Sequence, residues 1–142
     1  MRTDKIHRLA SHDYTTNGYY FVTIISRFRK PIFPNHEITI ERILQETVTA
    51  IPGATIDTFI AMPNHVHMII QLENCTMLLG EIIRRFKAKV SQHFGRTVWQ
   101  SNYYEHIIRD EQALNKIREY IMLNPEIARL RVEAGNYKRK VT

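Results

Sequence analysis

A turn and a buried strand are encoded together in residues 62–72, Met-Pro-Asn-His-Val-His-Met-Ile-Ile-Gln-Leu. In a strand, side chains two positions apart point to the same face, about 6.5–7 Å apart along the chain. The alternate positions on one face are all apolar: Val66, Met68, Ile70 and Leu72. The other face carries His65 and His67, whose imidazoles are close enough to share one divalent metal ion. The strand is therefore predicted to have a core side and a chemical side.

The histidine pair is weak evidence when it is taken alone. A chain with seven histidines among 142 residues produces a His-apolar-His triplet by chance roughly 0.15 times. Two partly exposed histidines on an amphipathic strand would give the same pattern. A histidine-triad nucleotide hydrolase would need a third histidine at position 69, which is Ile69, so that class is excluded.

Patterns on either side of this strand predict the order β-α-β-β-α-β followed by a helix. The other predicted strands are residues 18–26, 54–62 and 98–109, and the predicted helices are residues 37–50, 77–94 and 111–123. Thr76 and Asp110 are the predicted N-caps of the second and third helices, and Gly95 is the predicted stop of the second. The third helix is expected to end at Asn124-Pro125, with a short helical remainder over 126–134.

This order is the ferredoxin-like split βαβ pattern of the α+β class, an antiparallel sheet with helices on one face and a further C-terminal helix. We expect the other sheet face to be free and to carry His65 and His67. Because there is no repeat, low-complexity tract or flexible linker, residues 1–142 are predicted to form a single domain. Residues 1–17 are predicted to be a basic arm, and residues 135–142 a basic tail.

The composition indicates which class of partner the protein binds and where in the cell it is located. Twenty Lys and Arg against fourteen Asp and Glu give a formal net charge of +6, which favours a nucleic acid ahead of an anionic membrane surface. No apolar run approaches the ~20 residues of a membrane span, and no signal-peptide pattern opens the sequence. The single cysteine, Cys75, permits neither an intramolecular disulfide nor a thiolate metal cluster. We therefore expect a cytoplasmic protein that does not enter a membrane.

Further residues suggest chemistry on a nucleic acid. Tyr120 and Asn124 lie four apart on one face of the last helix, where a phenol could act as a nucleophile and an amide as a metal ligand. Cations that could follow phosphates are Arg27 after the first strand and Arg84, Arg85, Lys87 and Lys89 in the second helix. Trp99 and Tyr103 could stack unpaired bases. A packed tyrosine and a solvated basic face are the ordinary alternatives at this stage.

The chain also carries four motifs in a fixed order. They are residues 12–14 with 18–24 (His-Asp-Tyr, then Gly-Tyr-Tyr-Phe-Val-Thr-Ile), 62–67, 98–110, and 119–125 (Glu-Tyr-Ile-Met-Leu-Asn-Pro). Together these motifs resemble the HUH single-tyrosine transposases, most closely the REP-associated tyrosine transposases of bacteria, which carry the IS200-like transposase domain. Each motif is weak alone, but the four keep the order and spacing of that family.

The resemblance implies an enzyme that cleaves single-stranded DNA with hairpin ends and transfers the strand through a 5′-phosphotyrosine intermediate. It implies that His65 and His67 hold Mg²⁺ or Mn²⁺, that Asn124 completes the metal site, and that Tyr120 is the nucleophile. A single tyrosine implies that cutting and rejoining are sequential, or are shared between the two subunits of a homodimer.

Two alternatives from other classes stay open at this stage. The first is a domesticated nucleic-acid-binding protein that keeps the fold and does no chemistry. The presence of His65, His67 and Tyr120 together argues against it, because a binding protein has no need of all three. The second is a metal-dependent phosphodiesterase acting on small nucleotides, which the basic excess and the lack of a Gly-rich phosphate loop disfavour.

Overall fold

The computed structural model describes residues 17–133, and it describes the side chains of residues 17–123. The predicted basic tail and all but the last residue of the predicted arm lie outside these residues.

Four strands form one antiparallel sheet. The strands are β1 (Gly18–Ile25), β2 (Ala54–Met62), β3 (His65–Leu72) and β4 (Tyr104–Ile108), and the helices are α1 (Glu37–Thr49), α2 (Leu79–Phe94) and α3 (Glu111–Glu133). The order of strands across the sheet is β2-β3-β1-β4, and every neighbouring pair is antiparallel. The predicted α+β class and the ferredoxin-like order of elements are confirmed.

The first sheet face packs under α1 and α2. Its core residues on the two central strands are Tyr20, Val22 and Ile24 of β1 and Val66, Met68, Ile70 and Leu72 of β3. All seven side chains are fully buried. The apolar row predicted for β3 therefore forms the main core, and β3 presents its odd-numbered residues to the opposite face.

The second sheet face is covered by α3, so the expectation that this face is free is wrong. Leu114 and Ile121 of α3 pack against Phe21 of β1 and Ile69 of β3. The physical reason is that α3 has an apolar stripe of its own, which must be buried, and the sheet offers apolar residues to receive it. As a result, His65 and His67 lie beneath a helix and are not open to solvent.

The ends of α2 show which local signals the fold uses. The helix begins at Leu79, and the extended Leu78 takes the N-cap position without a side-chain cap, so the predicted Thr76 cap is wrong. Leu79 is fully buried, and the helix starts where this side chain enters the core. The predicted end is confirmed, because Gly95 has a φ of 73° and its amide bonds back to the carbonyl of Gln92.

The start of α3 is as predicted, and its end is not. The Asp110 carboxylate accepts a hydrogen bond from the amide of Ala113 at 2.8 Å, as an N-cap does. The helix then continues through Pro125 to Glu133 instead of ending at Asn124-Pro125. A proline within a helix removes one backbone hydrogen bond, and the rest of the helix continues past it here. Although α3 has 23 residues, neither it nor any other described helix is long and apolar enough to cross a membrane.

The fourth strand is shorter than predicted. It covers Tyr104–Ile108 and not 98–109, and Trp99 forms only an isolated bridge to Ser26. The Trp99 indole N–H donates to the carbonyl of Lys87 at 3.1 Å, and the Lys87 ammonium donates to the carbonyl of Gln100 at 3.0 Å. The segment before β4 is thus fixed to α2 by side chains, and to the end of β1 by two backbone hydrogen bonds on either side of the Ser26–Trp99 bridge.

Candidate active site

The structure brings the histidine pair and the tyrosine together. His65 and His67 are 4% and 0% exposed on the α3 side of β3, and their ring centroids are 4.7 Å apart. The half-buried ring of Tyr120, on α3, has its centroid 5.6 Å from that of His67. Three residues that the sequence placed on two separate elements therefore meet between the sheet and the helix.

Both imidazoles are held through Nδ1. The Thr23 hydroxyl lies 2.9 Å from Nδ1 of His67, and the Asn64 side-chain oxygen lies 2.8 Å from Nδ1 of His65. An amide oxygen can only accept, so Nδ1 of His65 donates and its Nε2 is the atom able to ligate a metal. Within the described residues, the buried Nε2 of His67 makes no hydrogen bond. Fixing one ring nitrogen to orient the other is how proteins prepare histidine ligands.

The electrostatics of the site favour neutral imidazole at His67. Burial, together with a smaller electrostatic contribution from the neighbouring His65, lowers the pKa of His67 to about 3. A charged imidazolium cannot ligate a metal, whereas neutral imidazole can. The environment thus holds His67 in the form that binds a metal.

An aromatic side chain forms the floor of the site. The ring centroid of Phe21, on β1, lies 5.4 Å from that of His67 and 6.4 Å from that of Tyr120. It also lies 5.4 Å from the ring of His106, on β4, and burial lowers the pKa of His106. The Phe21 ring therefore contacts the rings of both His67 and Tyr120.

The helix that carries Tyr120 is fixed to the sheet by an ion pair. Arg118 donates from Nε and Nη2 to the two carboxylate oxygens of Asp57, at 2.9 and 2.6 Å. These hydrogen bonds hold the pKa of the Asp57 carboxyl below its usual range. Asp57 lies at a bulge in β2, where the register shifts between Ile56 and Thr58. The pair ties α3 to β2 two residues before the tyrosine.

The donor atoms fit a metal ion, although the described residues supply only part of a full ligand set. The buried Nε2 of His67 is a nitrogen donor without a hydrogen bond, as a ligand position requires. Within residues 17–133, no group of three His, Cys, Asp or Glu side chains is placed to hold an ion. Asn124 follows Tyr120 by one turn of α3, and its side chain lies outside the described part of the chain.

The predicted cations of α2 are not brought to this site. Arg84 and Arg85 both bond to the carboxylate of Glu81, at 2.6 to 3.0 Å, and they lower the pKa of Glu81 to about 2. They lie with Lys89 on the exposed side of α2, which packs on the sheet face opposite the histidines. Lys87 is engaged with the segment before β4.

The two aromatic residues predicted to stack bases are in the core. Trp99 is 4% exposed and Tyr103 is 7% exposed, and both belong to the cluster under α1 and α2. A base needs an accessible ring face, so this burial does not fit the predicted stacking role. Arg27 is also exposed, and it lies two residues after Ile25, the end of β1 that pairs with His65.

The residues that orient the site were not among the predicted site residues. Thr23 is a polar side chain inside an apolar strand, and Asn64 sits in the turn directly before His65, so both positions carried a weak local signal. Asp57 and Arg118 carried none, because they are 61 positions apart in the chain.

Comparisons with known proteins identify the family. Residues 14–124 match the family model described as "Transposase IS200 like". An uncharacterized protein of Haemophilus influenzae is 32% identical over 155 aligned positions, which cover 83% of this chain and 86% of that protein. A second protein of that organism, named as a candidate REP-associated tyrosine transposase, is 28% identical over 129 positions, covering 80% of this chain and 73% of the relative.

Two solved structures share the fold. A REP-associated tyrosine transposase bound to a REP hairpin has a TM-score of 0.72 at 22% identity, over 82% of this chain and 72% of that chain. A candidate transposase of Deinococcus radiodurans has a TM-score of 0.56 at 16% identity, over 80% of this chain and 95% of that chain. The family predicted from the sequence motifs is confirmed. Since the family model matches residues 14–124, which is most of the 142-residue sequence, this chain belongs to the IS200-like transposases.

Proposed function

We propose that this transposase cleaves single-stranded DNA and rejoins it through a covalent link to Tyr120, with the help of a divalent metal ion. The observation that carries the proposal is the meeting of Tyr120 with the histidine pair, at 5.6 Å between the ring centroids of Tyr120 and His67. A phenol beside two oriented imidazoles places a nucleophile next to a candidate phosphate-binding centre. A protein that only binds DNA has no use for this arrangement.

The proposed substrate is single-stranded DNA that contains a hairpin. The net charge of +6 suits a polyanion. The related structure with a TM-score of 0.72 is described as bound to a REP hairpin, which supports a hairpin as the partner here as well.

The proposed cleavage step balances without an outside energy source. The Tyr120 oxygen attacks the scissile phosphorus, the bond between phosphorus and tyrosine oxygen forms, and the bond from phosphorus to the 3′ oxygen breaks. The proton that the phenol loses is matched by the proton that the leaving 3′ oxygen gains. The 5′ phosphate stays on the tyrosine, so a second 3′-OH can reverse the step and join a new strand.

The proposed roles of the residues are to hold the metal ion, to orient the two imidazoles and to position the tyrosine. Nε2 of His65 and Nε2 of His67 would hold Mg²⁺ or Mn²⁺, with Asn124 as the proposed third ligand, and the bound ion supplies polarisation of the scissile phosphate. Thr23 and Asn64 fix the two rings. Because a phenol with an ordinary pKa of ~10 is a poor nucleophile, its position matters, and the Asp57–Arg118 pair fixes the helix that carries it.

A covalent-capture experiment tests the proposal. The full chain is incubated with labelled hairpin oligonucleotides taken from the DNA flanking its own gene, in Mn²⁺, Mg²⁺ or EDTA, and analysed on a denaturing gel. We expect a labelled protein band with either ion and none in EDTA. Binding that weakens steeply with salt, with no covalent band under any condition, would instead support the domesticated DNA-binding protein.

A further inference from the structure

A phenylalanine is displayed at the tip of the turn that follows β1. Phe28 is 74% exposed, within the turn Arg27–Lys30. Its φ is 59° and that of Arg29 is 56°, so two neighbouring residues are in the left-handed region. Consecutive positive φ values are typical of a type I′ turn, which favours Asn and Gly because a Cβ is disfavoured there. Neither burial nor backbone preference explains an aromatic residue at this position.

The turn is held in place by the surrounding backbone. The Ser26 amide donates to the carbonyl of Asn64 at 2.9 Å, and the Arg27 amide donates to the carbonyl of Val98 at 2.8 Å. The Ser26 hydroxyl donates to the carbonyl of Lys30 at 2.6 Å. Phe28 is therefore presented on a braced turn, which lowers the entropic cost of binding a partner there.

A positively charged groove lies beside the ring. It has a volume of about 300 Å³, and its lining residues are Arg27, Phe28, Lys30, Ile32, Arg96, Thr97 and Val98. In the part of the chain that the structure describes, the ion pairs involve neither the three cations of this groove nor Arg29. By contrast, Arg84 and Arg85 on α2 share Glu81. The groove thus combines an exposed aromatic ring with unneutralised positive charge.

One side chain connects this turn to the candidate active site. The Asn64 oxygen accepts from Nδ1 of His65 at 2.8 Å, and the Asn64 amide nitrogen donates to the carbonyl of Arg29 at 3.2 Å. The last residue of β1, Ile25, pairs with His65 across the sheet. Two hydrogen bonds through the Asn64 side chain therefore join the turn to the His65 ring.

We propose that the Arg27–Lys30 turn and its groove bind one unpaired nucleotide next to the scissile phosphate, with the base stacked on Phe28. Arg27, Lys30 and Arg96 contact the phosphates on either side of that base. Aromatic rings between cations bind single-stranded nucleic acid in this way, with little preference for sequence. The inference rests on the proposed function, and it adds the part of the substrate that is held outside the cleavage centre.

The variant Phe28→Gly separates binding from folding. Glycine adopts a positive φ without strain, so we expect an unchanged or higher melting temperature. Stacking on the ring would be lost, so affinity for a hairpin oligonucleotide with single-stranded flanks should fall about tenfold. Phe28→Trp should keep the parent affinity. Leu78→Ala is the matched control, since Leu78 is 57% exposed at the start of α2, about 24 Å along the 16-residue helix from the end that Arg96 of the groove follows.

Photocrosslinking identifies the contact directly. The same oligonucleotide, with 5-iodouracil at single flank positions, should crosslink to a peptide that contains Phe28 and lose this crosslink in Phe28→Gly. Phe28→Gly binding as tightly as the parent, or crosslinks that avoid the turn, would overturn the inference. If the parent still forms the covalent band, the proposed function survives that outcome. If the parent neither binds nor cleaves the hairpin, both proposals are wrong.

Discussion

Tyr120 of α3 and His67 of β3 face each other between the helix and the sheet, with their ring centroids 5.6 Å apart and their planes inclined at 62°. The contact exists because α3 packs its apolar stripe on the sheet face that also carries the histidines. Core packing and the candidate chemistry therefore use one interface. Substitution of residues that fix this interface should change both the free energy of unfolding and the reaction. The two effects can be measured separately.

Thr23→Val tests the support of His67. Valine has a similar shape and cannot bond to Nδ1 of His67, which the Thr23 hydroxyl contacts at 2.9 Å. Loss of such a support typically weakens metal binding about 10–100-fold. The buried nitrogen left unsatisfied should lower the free energy of unfolding by about 1–3 kcal/mol. Calorimetric titration with Mn²⁺ and urea denaturation measure the two effects.

Thr47→Val is the control for that variant. Thr47 is also a buried threonine, and its hydroxyl donates to the carbonyl of Ile43 within α1, on the other side of the sheet. We expect it to leave Mn²⁺ affinity unchanged. Equal Mn²⁺ affinity in Thr23→Val and Thr47→Val would show that Thr23 does not prepare a metal ligand.

Asn64 has two roles that two substitutions separate. Asn64→Asp keeps an oxygen that accepts from Nδ1 of His65 but cannot donate to the carbonyl of Arg29. Asn64→Ala removes both hydrogen bonds. We expect near-parent Mn²⁺ affinity in Asn64→Asp and a loss of about tenfold or more in Asn64→Ala. Both variants should bind single-stranded DNA more weakly, because the Arg27–Lys30 turn loses a support. Identical metal affinities in the two variants would contradict the assigned role.

Asp57→Asn tests the fixing of α3. The Arg118 guanidinium holds the pKa of Asp57 below its usual range, so the carboxylate stabilises the fold above its ordinary pKa of about 3.9. This contribution is lost as the pH falls through the lowered pKa of the folded state. Because solvent screens the partly exposed pair, we expect Asp57→Asn to cost at most about 1 kcal/mol near neutral pH and nothing in strong acid.

The free energy of unfolding of Asp57→Asn and of the parent is measured by urea denaturation from neutral pH to strong acid. The rate of covalent-band formation is measured for both proteins as well. Glu46→Gln serves as the control, because the exposed Arg42–Glu46 pair lies within α1 and joins no two elements. The rate should fall in Asp57→Asn alone, since only that variant loosens the helix that carries Tyr120. A parallel loss of rate in both variants would contradict the positioning role.

The parts of the fold that depend on local periodicity could be predicted from the sequence. The alternation over 65–72 placed Val66 and its neighbours in the core and the two histidines opposite them, as observed. The start of α3 at Asp110 and the end of α2 at Gly95 were predictable because capping is a local interaction. The apolar stripe of α3 was also visible, but the sheet face that it covers depends on the path of the chain.

Contacts between residues far apart in the sequence, and the burial of individual aromatic residues, could not be predicted from local sequence patterns. The Asp57–Arg118 pair joins a bulge in β2 to α3, and nothing near either residue in the sequence indicates the other. Aromatic content alone suggested a stacking surface at Trp99 and Tyr103, whereas both rings fill the core. Among residues 17–123, the exposed aromatic residue is Phe28, in a turn whose left-handed backbone the sequence Arg-Phe-Arg-Lys does not predict.

Mass mapping of the covalent band tests whether Tyr120 is the nucleophile. The parent and Tyr120→Phe are incubated with the same hairpin oligonucleotide and Mn²⁺, and the peptide that carries the 5′-phosphate is identified. Tyr19→Phe is the control, since Tyr19 lies on the same sheet face toward the other end of β1. We expect a nucleotide-modified peptide containing Tyr120 in the parent and in Tyr19→Phe, and no covalent product in Tyr120→Phe, although that variant still binds the hairpin. A covalent product that persists in Tyr120→Phe would contradict the assignment of the nucleophile.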